Sequence, residues 1–117
     1  MPDARSDATP DPASLRVLVM TCPPDQAERL LEVLLRERLV ACGNVLAAQS
    51  RYRWQGELCR EPEALVIMET ATGRVAAAMA RLAELHPYKV PKLLAFAPTD
   101  ALAAYVAWVL DATTAAP

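Results

Sequence analysis

The stretch LRVLVMTCPPD, Leu15–Asp25, decides the fold because it contains a buried strand followed directly by the start of a helix. Apolar side chains occupy both alternating sets of positions, and Arg16 is the only charged residue before the prolines. A strand of this kind is expected to be covered on both faces, as a central strand is. Pro23, Pro24 and Asp25 then favour a helix, because proline suits the first turn and an acid stabilises a helix N-terminus.

Hydrophobic periodicity divides the rest of the chain into further strands and helices. The predicted elements are strand Leu15–Cys22, a helix opened by Pro23–Asp25, strand Ala41–Trp54, turn Gln55–Gly56, a strand around Ala64–Met68, helix Gly73–Leu85 capped by Thr72, strand Val90–Ala97 and a last helix capped by Thr99 or Asp100. This order predicts an α+β fold, a ferredoxin-like split β-α-β sandwich (β-α-β-β-α-β plus a C-terminal helix). Two helices cover one face of the four-stranded sheet, and Pro62 predicts a bulge or an edge position.

The composition predicts one domain that buries part of its surface against other subunits. Of the 117 residues, 54% are hydrophobic and only 22% are charged, which is apolar for so short a chain. We expect a disordered tail over residues 1–14, a single domain over 15–112 and a flexible C-terminus over 113–117. The net charge of −2 gives no reason to expect nucleic acid or a membrane as a partner. Three cysteines without zinc spacing favour reduced thiols and a cytoplasmic protein.

His86 is the only histidine and the first candidate for a functional side chain. It ends a predicted helix, where an imidazole can bind a soft metal or transfer a proton; the alternative is a simple helix stop set by Pro87. Cys22 lies just before a helix, where the helix dipole would lower the pKa of its thiol, unless it is a small buried residue. Together with Met20, these residues can supply ligands for copper(I).

The arm Ser50–Glu57 alternates cations and aromatic side chains with a period of two. Arg51 and Arg53 are expected on one face of the strand, and Tyr52 and Trp54 on the other. One interpretation is a stacking platform for a nucleotide, and the favoured one is an aromatic face that packs on a neighbouring subunit. No glycine-rich phosphate loop and no nucleophile elbow is present, so we expect no enzyme.

The assembled segments resemble the CutA family of divalent-cation tolerance proteins. The matching segments are Thr21–Pro23, Leu39–Asn44, Tyr52–Gly56, Thr70, His86–Tyr88, Val90–Pro91 and Tyr105–Trp108. The resemblance implies a ferredoxin-like subunit, a homotrimer similar in architecture to the PII signalling proteins, and a cytosolic role in copper and divalent-cation tolerance without catalysis. It also implies copper ligands at His86, at the end of the first strand, where Met20 stands with Cys22 two residues on, and at a glutamate that Lys92 replaces here.

Four charges differ from the usual family pattern in a balanced way. Glu57 and Glu69 stand where the family has lysine, and Lys89 and Lys92 where it has glutamate. Such an exchange predicts ion pairs between the two sets, within or between subunits; the alternative is four unrelated surface changes. Two functions follow from the resemblance: a metal-related trimer that binds copper near His86, or a PII-like trimer that binds a small ligand or a protein partner without metal.

Overall fold

The computed structural model describes residues 11–114 as a four-stranded antiparallel sheet with three helices. The elements are β1 (Leu15–Cys22), α1 (Ala27–Arg36), β2 (Cys42–Trp54), β3 (Glu57–Ala71), α2 (Val75–Leu85), β4 (Leu93–Phe96) and α3 (Ala103–Ala112). The strand order β2-β3-β1-β4 makes β1 an interior strand, as its apolar sequence predicts. The predicted ferredoxin-like topology is therefore confirmed, with both crossover connections formed by helices.

The core lies between the sheet and the helices α1 and α2. Residues that are paired across an antiparallel ladder share a face, so the register assigns every strand side chain to one side. The helix-covered side chains include Leu18, Met20 and Met68, all buried together with Leu30 and Leu82. The opposite face, which we call the open face, carries α3 at one end only.

Strands β2 and β3 extend past β1 as a two-stranded arm. Their register is continuous from Cys42–Glu69 to Trp54–Glu57, and β1 pairs with β3 only as far as Ala64. Pro62 was predicted to lie at a bulge or at an edge position. It lies at an edge position, and the register around it is continuous, without a bulge. Gln55 and Gly56 both have positive φ, 49° and 83°, which is the turn geometry of a two-residue hairpin.

The two predicted side-chain caps are wrong. The hydroxyl of Thr72 donates instead to the carbonyl oxygen of Ala13 at 2.6 Å, and a 3-10 turn precedes α2. Helix α3 begins after Leu102 with no side-chain cap, and Thr99 bonds Asp100 instead. Both helices are fixed by packing, which outweighs the modest contribution of a cap.

Residues on either side of the predicted domain, 15–112, make contacts with it, and the bounds of the domain stay a prediction. Pro12–Ser14, placed in the disordered tail, form a 3-10 turn in which the side chain of Asp11 accepts from the backbone N–H of Ala13. Thr113 is buried, and its carbonyl oxygen accepts from Nε of Arg74 at 2.8 Å. The rest of the predicted tail and C-terminus, residues 1–10 and 115–117, lies outside the described residues.

Candidate functional site

His86 lies where α2 ends, and both of its ring nitrogens are hydrogen-bonded. Its Nε2 is 2.8 Å from the carbonyl oxygen of Thr21, and its Nδ1 accepts from the backbone N–H of Tyr88 at 3.1 Å. Since a carbonyl only accepts, the proton lies on Nε2. The ring is 7% exposed and tilted against the ring of Tyr88, with centroids 4.8 Å apart.

The structure places the three predicted metal ligands in one region but gives two of them apolar surroundings. His86 bonds Thr21, the residue between Met20 and Cys22. Met20 and Cys22 are fully buried and point into the core beneath the helices. Burial raises the pKa of the Cys22 thiol, and the charges of Glu63 and Asp25 raise it further. The helix end therefore does not activate this thiol, contrary to one of the two sequence interpretations.

A cleft of about 810 Å³ opens beside His86, between the arm and the segment that joins α2 to β4. Glu63, which is 6% exposed, lies in its wall and accepts a hydrogen bond from the hydroxyl of Tyr88 at 2.7 Å. Burial and this hydrogen bond raise the pKa of Tyr88. The wall holds charges of both signs and aromatic rings, from Glu61, Arg51, Lys89, Lys92, Tyr52 and Trp54.

The predicted division of the arm into two faces is confirmed by the register. Tyr52 and Trp54 pair with Cys59 and Glu57 on the face that continues the open face. Hydrogen bonding to Glu61 raises the pKa of Tyr52 to about 12. The aromatic and acidic side chains of the arm thus share one side of the ribbon.

At the other end of the open face, three side chains form what we call the thiol cluster: Cys42, Glu69 and Tyr105. The Sγ of Cys42 lies 2.8 Å from Oε1 of Glu69 and 3.0 Å from the hydroxyl of Tyr105, which itself donates to Oε1 of Glu69 at 2.9 Å. Burial raises the pKa of both the thiol and the phenol. The ring of Tyr105 stacks on the ring of Trp108, with centroids 5.8 Å apart.

The exchanged charges do not form ion pairs within the subunit. In residues 11–114 the only ion pairs join Arg81 to Glu37 and Glu84. Glu69 instead bonds a thiol and a phenol, at the far end of β3 from Lys89 and Lys92. The hypothesis of pairing within a subunit is therefore wrong, and pairing between subunits stays a prediction.

Sequence reasoning did not single out Glu63, Tyr88 or the thiol cluster as sites. A signal for Glu63 was present, because it is a carboxylate directly before the apolar run Ala64–Met68, and a charge at a buried strand position needs a partner. Nothing in the sequence brings Tyr105 to Glu69 without knowledge of how α3 packs. Within the described range, no group of three His, Cys, Asp or Glu side chains is placed to hold a metal ion.

Known proteins share both the sequence motifs and the fold of this chain. The sequence model of the CutA1 divalent ion tolerance proteins matches residues 16–112. The chain belongs to this family. The divalent-cation tolerance protein CutA of Pyrococcus horikoshii is 32% identical over 99 residues, which cover 83% of this chain and 97% of that protein. These relatives are named for tolerance rather than for a reaction.

Solved structures of CutA proteins have the same fold. The PII-like protein CutA of Nostoc sp. PCC 7120, in apo form, superposes with a TM-score of 0.83 at 30% identity, covering 86% of this chain and 99% of that one. A CutA structure from Archaeoglobus fulgidus described as periplasmic has the same TM-score at 24% identity, covering 86% and 99%. No helix in residues 11–114 has the length and apolar character needed to cross a membrane.

Proposed function

We propose that this CutA-family chain is a PII-like trimeric protein that binds a small zwitterionic molecule in the cleft beside His86. The observation that carries this proposal is the cleft itself, about 810 Å³ in volume with the buried carboxylate of Glu63 in its wall. Small-molecule sites are usually preformed clefts of ~300–1,000 Å³ with a few convergent polar groups. The volume and the lining both fit that description.

The charges in the wall indicate the chemistry of the ligand. Glu63 and Glu61 attract a cationic group, and the ring of Trp54 adds a surface on which a cation can lie. Lys89 and Lys92 attract a carboxylate or phosphate group. A molecule with both an ammonium group and an acidic group satisfies the two sets at once. In this proposal Lys92, which replaces the glutamate that the family resemblance implies as a copper ligand, binds the anionic group of the small molecule.

The open face supports the trimer. Leu46, Leu94 and Phe96 are 45%, 45% and 51% exposed, and they lie on one face with the half-buried Val19 and Ile67. A contiguous apolar surface of this kind on a small protein indicates a subunit interface. We therefore expect sedimentation equilibrium to give three times the chain mass, with Phe96→Asp shifting the protein to smaller species. A wild-type monomer would contradict the trimer.

Thermal-shift and calorimetric titrations with glycine and phosphoethanolamine test the ligand proposal, with ethanolamine and acetate as probes that carry a single charge. Phosphoethanolamine or glycine should raise the melting temperature, and the singly charged probes should not. Glu63→Gln should weaken binding through the amine, and Lys92→Gln through the acid, while Glu84→Gln on the exposed side of α2 is the matched control. The proposal fails if both zwitterions leave the protein unchanged or if the two cleft variants bind as the control does.

A second candidate is copper binding near His86, favoured by the contact that places its imidazole at the residue between Met20 and Cys22. Coordination requires that one ring nitrogen leave its present partner and that the Cys22 thiol lose a proton that burial retains. Calorimetric titration with copper(II), and with copper(I) under reductant, tests this with His86→Ala as the comparison. Stoichiometric binding that disappears in the variant supports the copper function, and binding that is absent or unaltered refutes it.

We further propose that the protein acts in the cytoplasm. Support comes from three cysteines that form no disulfide, since unpaired thiols are typical of a reducing compartment. Fractionation of cells that express the full chain, probed with an antibody, tests this. Recovery in the periplasmic fraction would overturn it.

A further inference from the structure

Aromatic side chains line the cleft beside His86 from both of the segments that form it. Tyr52 and Trp54 come from β2, and Tyr88 comes from the segment that joins α2 to β4. We call these three side chains the aromatic wall. Tyr52 and Trp54 lie two residues apart on one face of the strand, about 7 Å from each other. They are 37% and 44% exposed, so their rings have surface left for a ligand.

Two carboxylates adjoin the aromatic wall. Glu63 accepts from the hydroxyl of Tyr88 at 2.7 Å, and Glu61 lies diagonally across the two strands from Tyr52. Neither Glu61 nor Glu63 forms an ion pair within residues 11–114. Negative charge without a cationic partner therefore stands beside ring faces, which themselves attract cations.

The surroundings favour one kind of cationic group over another. A primary ammonium group is compact and strongly hydrated, and it needs acceptors for three N–H donors when it leaves water. A trimethylammonium group donates no hydrogen bond, and its methyl groups can contact ring faces and apolar side chains. The cleft supplies three rings together with Pro87 and Val90, whereas one of its two carboxylates already accepts from Tyr88.

The aromatic wall lies beside the surface assigned to the trimer and does not overlap it. The apolar residues of that surface, from Leu46 to Phe96, belong to cross-strand rows that pass through β1. The rows of Tyr52 and Trp54 contain β2 and β3 alone, past the end of β1. A ligand on the wall is therefore compatible with the assembly.

We propose that the cleft selects a free zwitterion whose cationic end is a trimethylammonium group, as in betaines, held on the aromatic wall beside Glu61 and Glu63. This inference rests on the proposed function, because it specifies the ammonium end of the zwitterion that the cleft binds. The acidic end meets Lys89 and Lys92.

Matched pairs of ligands test the inference by calorimetry on the full wild-type chain. Glycine betaine should bind about 5–30-fold more tightly than glycine, and phosphocholine should exceed phosphoethanolamine by a similar factor, as expected for a desolvated cation on aromatic rings. The anion of tert-butylacetic acid has the shape of glycine betaine without its positive charge. It should bind more weakly than glycine betaine by at least the same factor.

Trp54→Leu removes the largest ring of the wall and should cancel the preference. Its affinity for glycine betaine should fall to about that for glycine, while its affinity for glycine changes only about twofold. Trp54→Phe should keep part of the preference, since a smaller ring still attracts a cation. Trp108→Leu on α3 is the matched control, because Trp108 is 48% exposed and lies outside the cleft, and it should bind both ligands as the wild type does.

The outcomes separate this inference from the proposed function. Equal binding within both ligand pairs, tight binding of the uncharged-end analogue, or an unchanged preference in Trp54→Leu would overturn the inference and leave the proposed function standing. Failure of all four zwitterions to bind would overturn both. The wild-type comparison decides the question even if a variant does not fold.

Two further measurements check the source of the ligand and the state of the wall. A chain that cosediments with phosphatidylcholine vesicles but does not bind glycine betaine would place the trimethylammonium group on a lipid headgroup and overturn the free ligand. A lower assembly mass of Trp54→Leu in sedimentation equilibrium would show that a neighbouring subunit covers the wall, which would also overturn the inference.

Discussion

The two ends of the open face contain the same chemical pair in different surroundings. Glu63 accepts from Tyr88 at 2.7 Å, and Glu69 accepts from Tyr105 at 2.9 Å. Both carboxylates lie on β3 and on the same face. At the cleft end the arm projects beyond β1, so Glu63 and Tyr88 line the cleft of about 810 Å³. At the other end α3 lies over the sheet, and the thiol of Cys42 completes the group.

Strand β3 therefore presents the same pair in two settings because its neighbours differ in length. Strand β3 has 15 residues and β1 only eight, so the first part of β3 has β2 alone beside it. The buried carboxylate of Glu63 there accepts from Tyr88 and has acceptor capacity left for a donor of a ligand. Oε1 of Glu69 already accepts from two donors, the thiol of Cys42 and the hydroxyl of Tyr105.

The largest expected effect separates the two tyrosine–glutamate pairs. Tyr88→Phe should lower the free energy of unfolding by about 1.5–3 kcal/mol, because it leaves a buried carboxylate without its donor. Tyr105→Phe should cost about 0.5–1.5 kcal/mol, because Cys42 still donates to the half-exposed Glu69. Urea unfolding of both variants, with Glu63→Gln and Glu69→Gln completing two double-mutant cycles, measures the two coupling energies. Equal coupling energies for Tyr88–Glu63 and Tyr105–Glu69 would mean that the two pairs contribute alike to stability, despite their different surroundings.

Alkaline pH should weaken both ends by the same mechanism. The pKa values of Tyr88 and Tyr105 are raised in the folded state, so their contribution is complete below about pH 10, the ordinary tyrosine pKa, and is lost as pH rises through the raised values. Each tyrosine adds a fall of about 1.4 kcal/mol per pH unit above pH 10.

Urea unfolding at closely spaced pH values from neutral upward measures this fall. Tyr88→Phe and Tyr105→Phe should each show a shallower decline than the wild type. The buried thiol of Cys22, whose pKa is also raised, remains in both variants and cancels in the comparison. The thiol of Cys42 cancels only for Tyr88→Phe, because it contacts the hydroxyl that Tyr105→Phe removes. Parallel curves for the wild type and both variants would mean that the phenols ionise alike in the folded and unfolded chains.

Local patterns predicted most of the fold, and they failed where packing decides. The strand Leu15–Cys22 and the arm with its turn at Gln55–Gly56 follow from alternation and turn chemistry, and both are confirmed. The caps at Thr72 and before α3 were wrong because a competing partner, the carbonyl of Ala13, or tertiary packing fixes those segments. Local sequence cannot show which distant group a side chain will meet.

The candidate site was predicted less well for the same reason. His86 was found because it is the only histidine, but its two hydrogen bonds and the buried state of Cys22 depend on how α2 meets β1. The carboxylate of Glu63 was not singled out, and that of Glu69 was predicted to pair with Lys89 or Lys92. Their tyrosine partners lie 25 and 36 residues away in the chain, beyond any periodic pattern.

A substitution in the turn at the tip of the arm tests whether the stability of the cleft depends on the arm. Gly56 has φ of 83°, and a Cβ there would meet nothing within 4 Å, so Gly56→Ala isolates backbone strain. We expect a loss of about 1 kcal/mol in the free energy of unfolding. Gly73→Ala is the matched control, since its site is equally open and its φ lies outside the left-handed region; it should be neutral or slightly stabilising.

The effect of Gly56→Ala should be confined to the cleft end. Amide hydrogen exchange of the arm should accelerate in this variant, while exchange in α3 and at Cys42 should not change. Faster exchange at both ends would show that the arm and the thiol cluster unfold as one unit, which would contradict the comparison drawn above.

The smallest expected change in stability comes from the face of the arm opposite Tyr52 and Trp54. Arg51 and Arg60 are directly paired across the strands, with Arg53 two residues along on the same face. Like charges in this position repel, so Arg60→Glu should stabilise the fold by about 0.5 kcal/mol, and Arg60→Gln by less. Urea unfolding at low and high salt measures both, and the gain should shrink as salt screens the charges. A loss of stability in Arg60→Glu would mean that the arginines are held together by an anion or by acidic side chains of another subunit, and the arm would then be a contact surface on both of its faces.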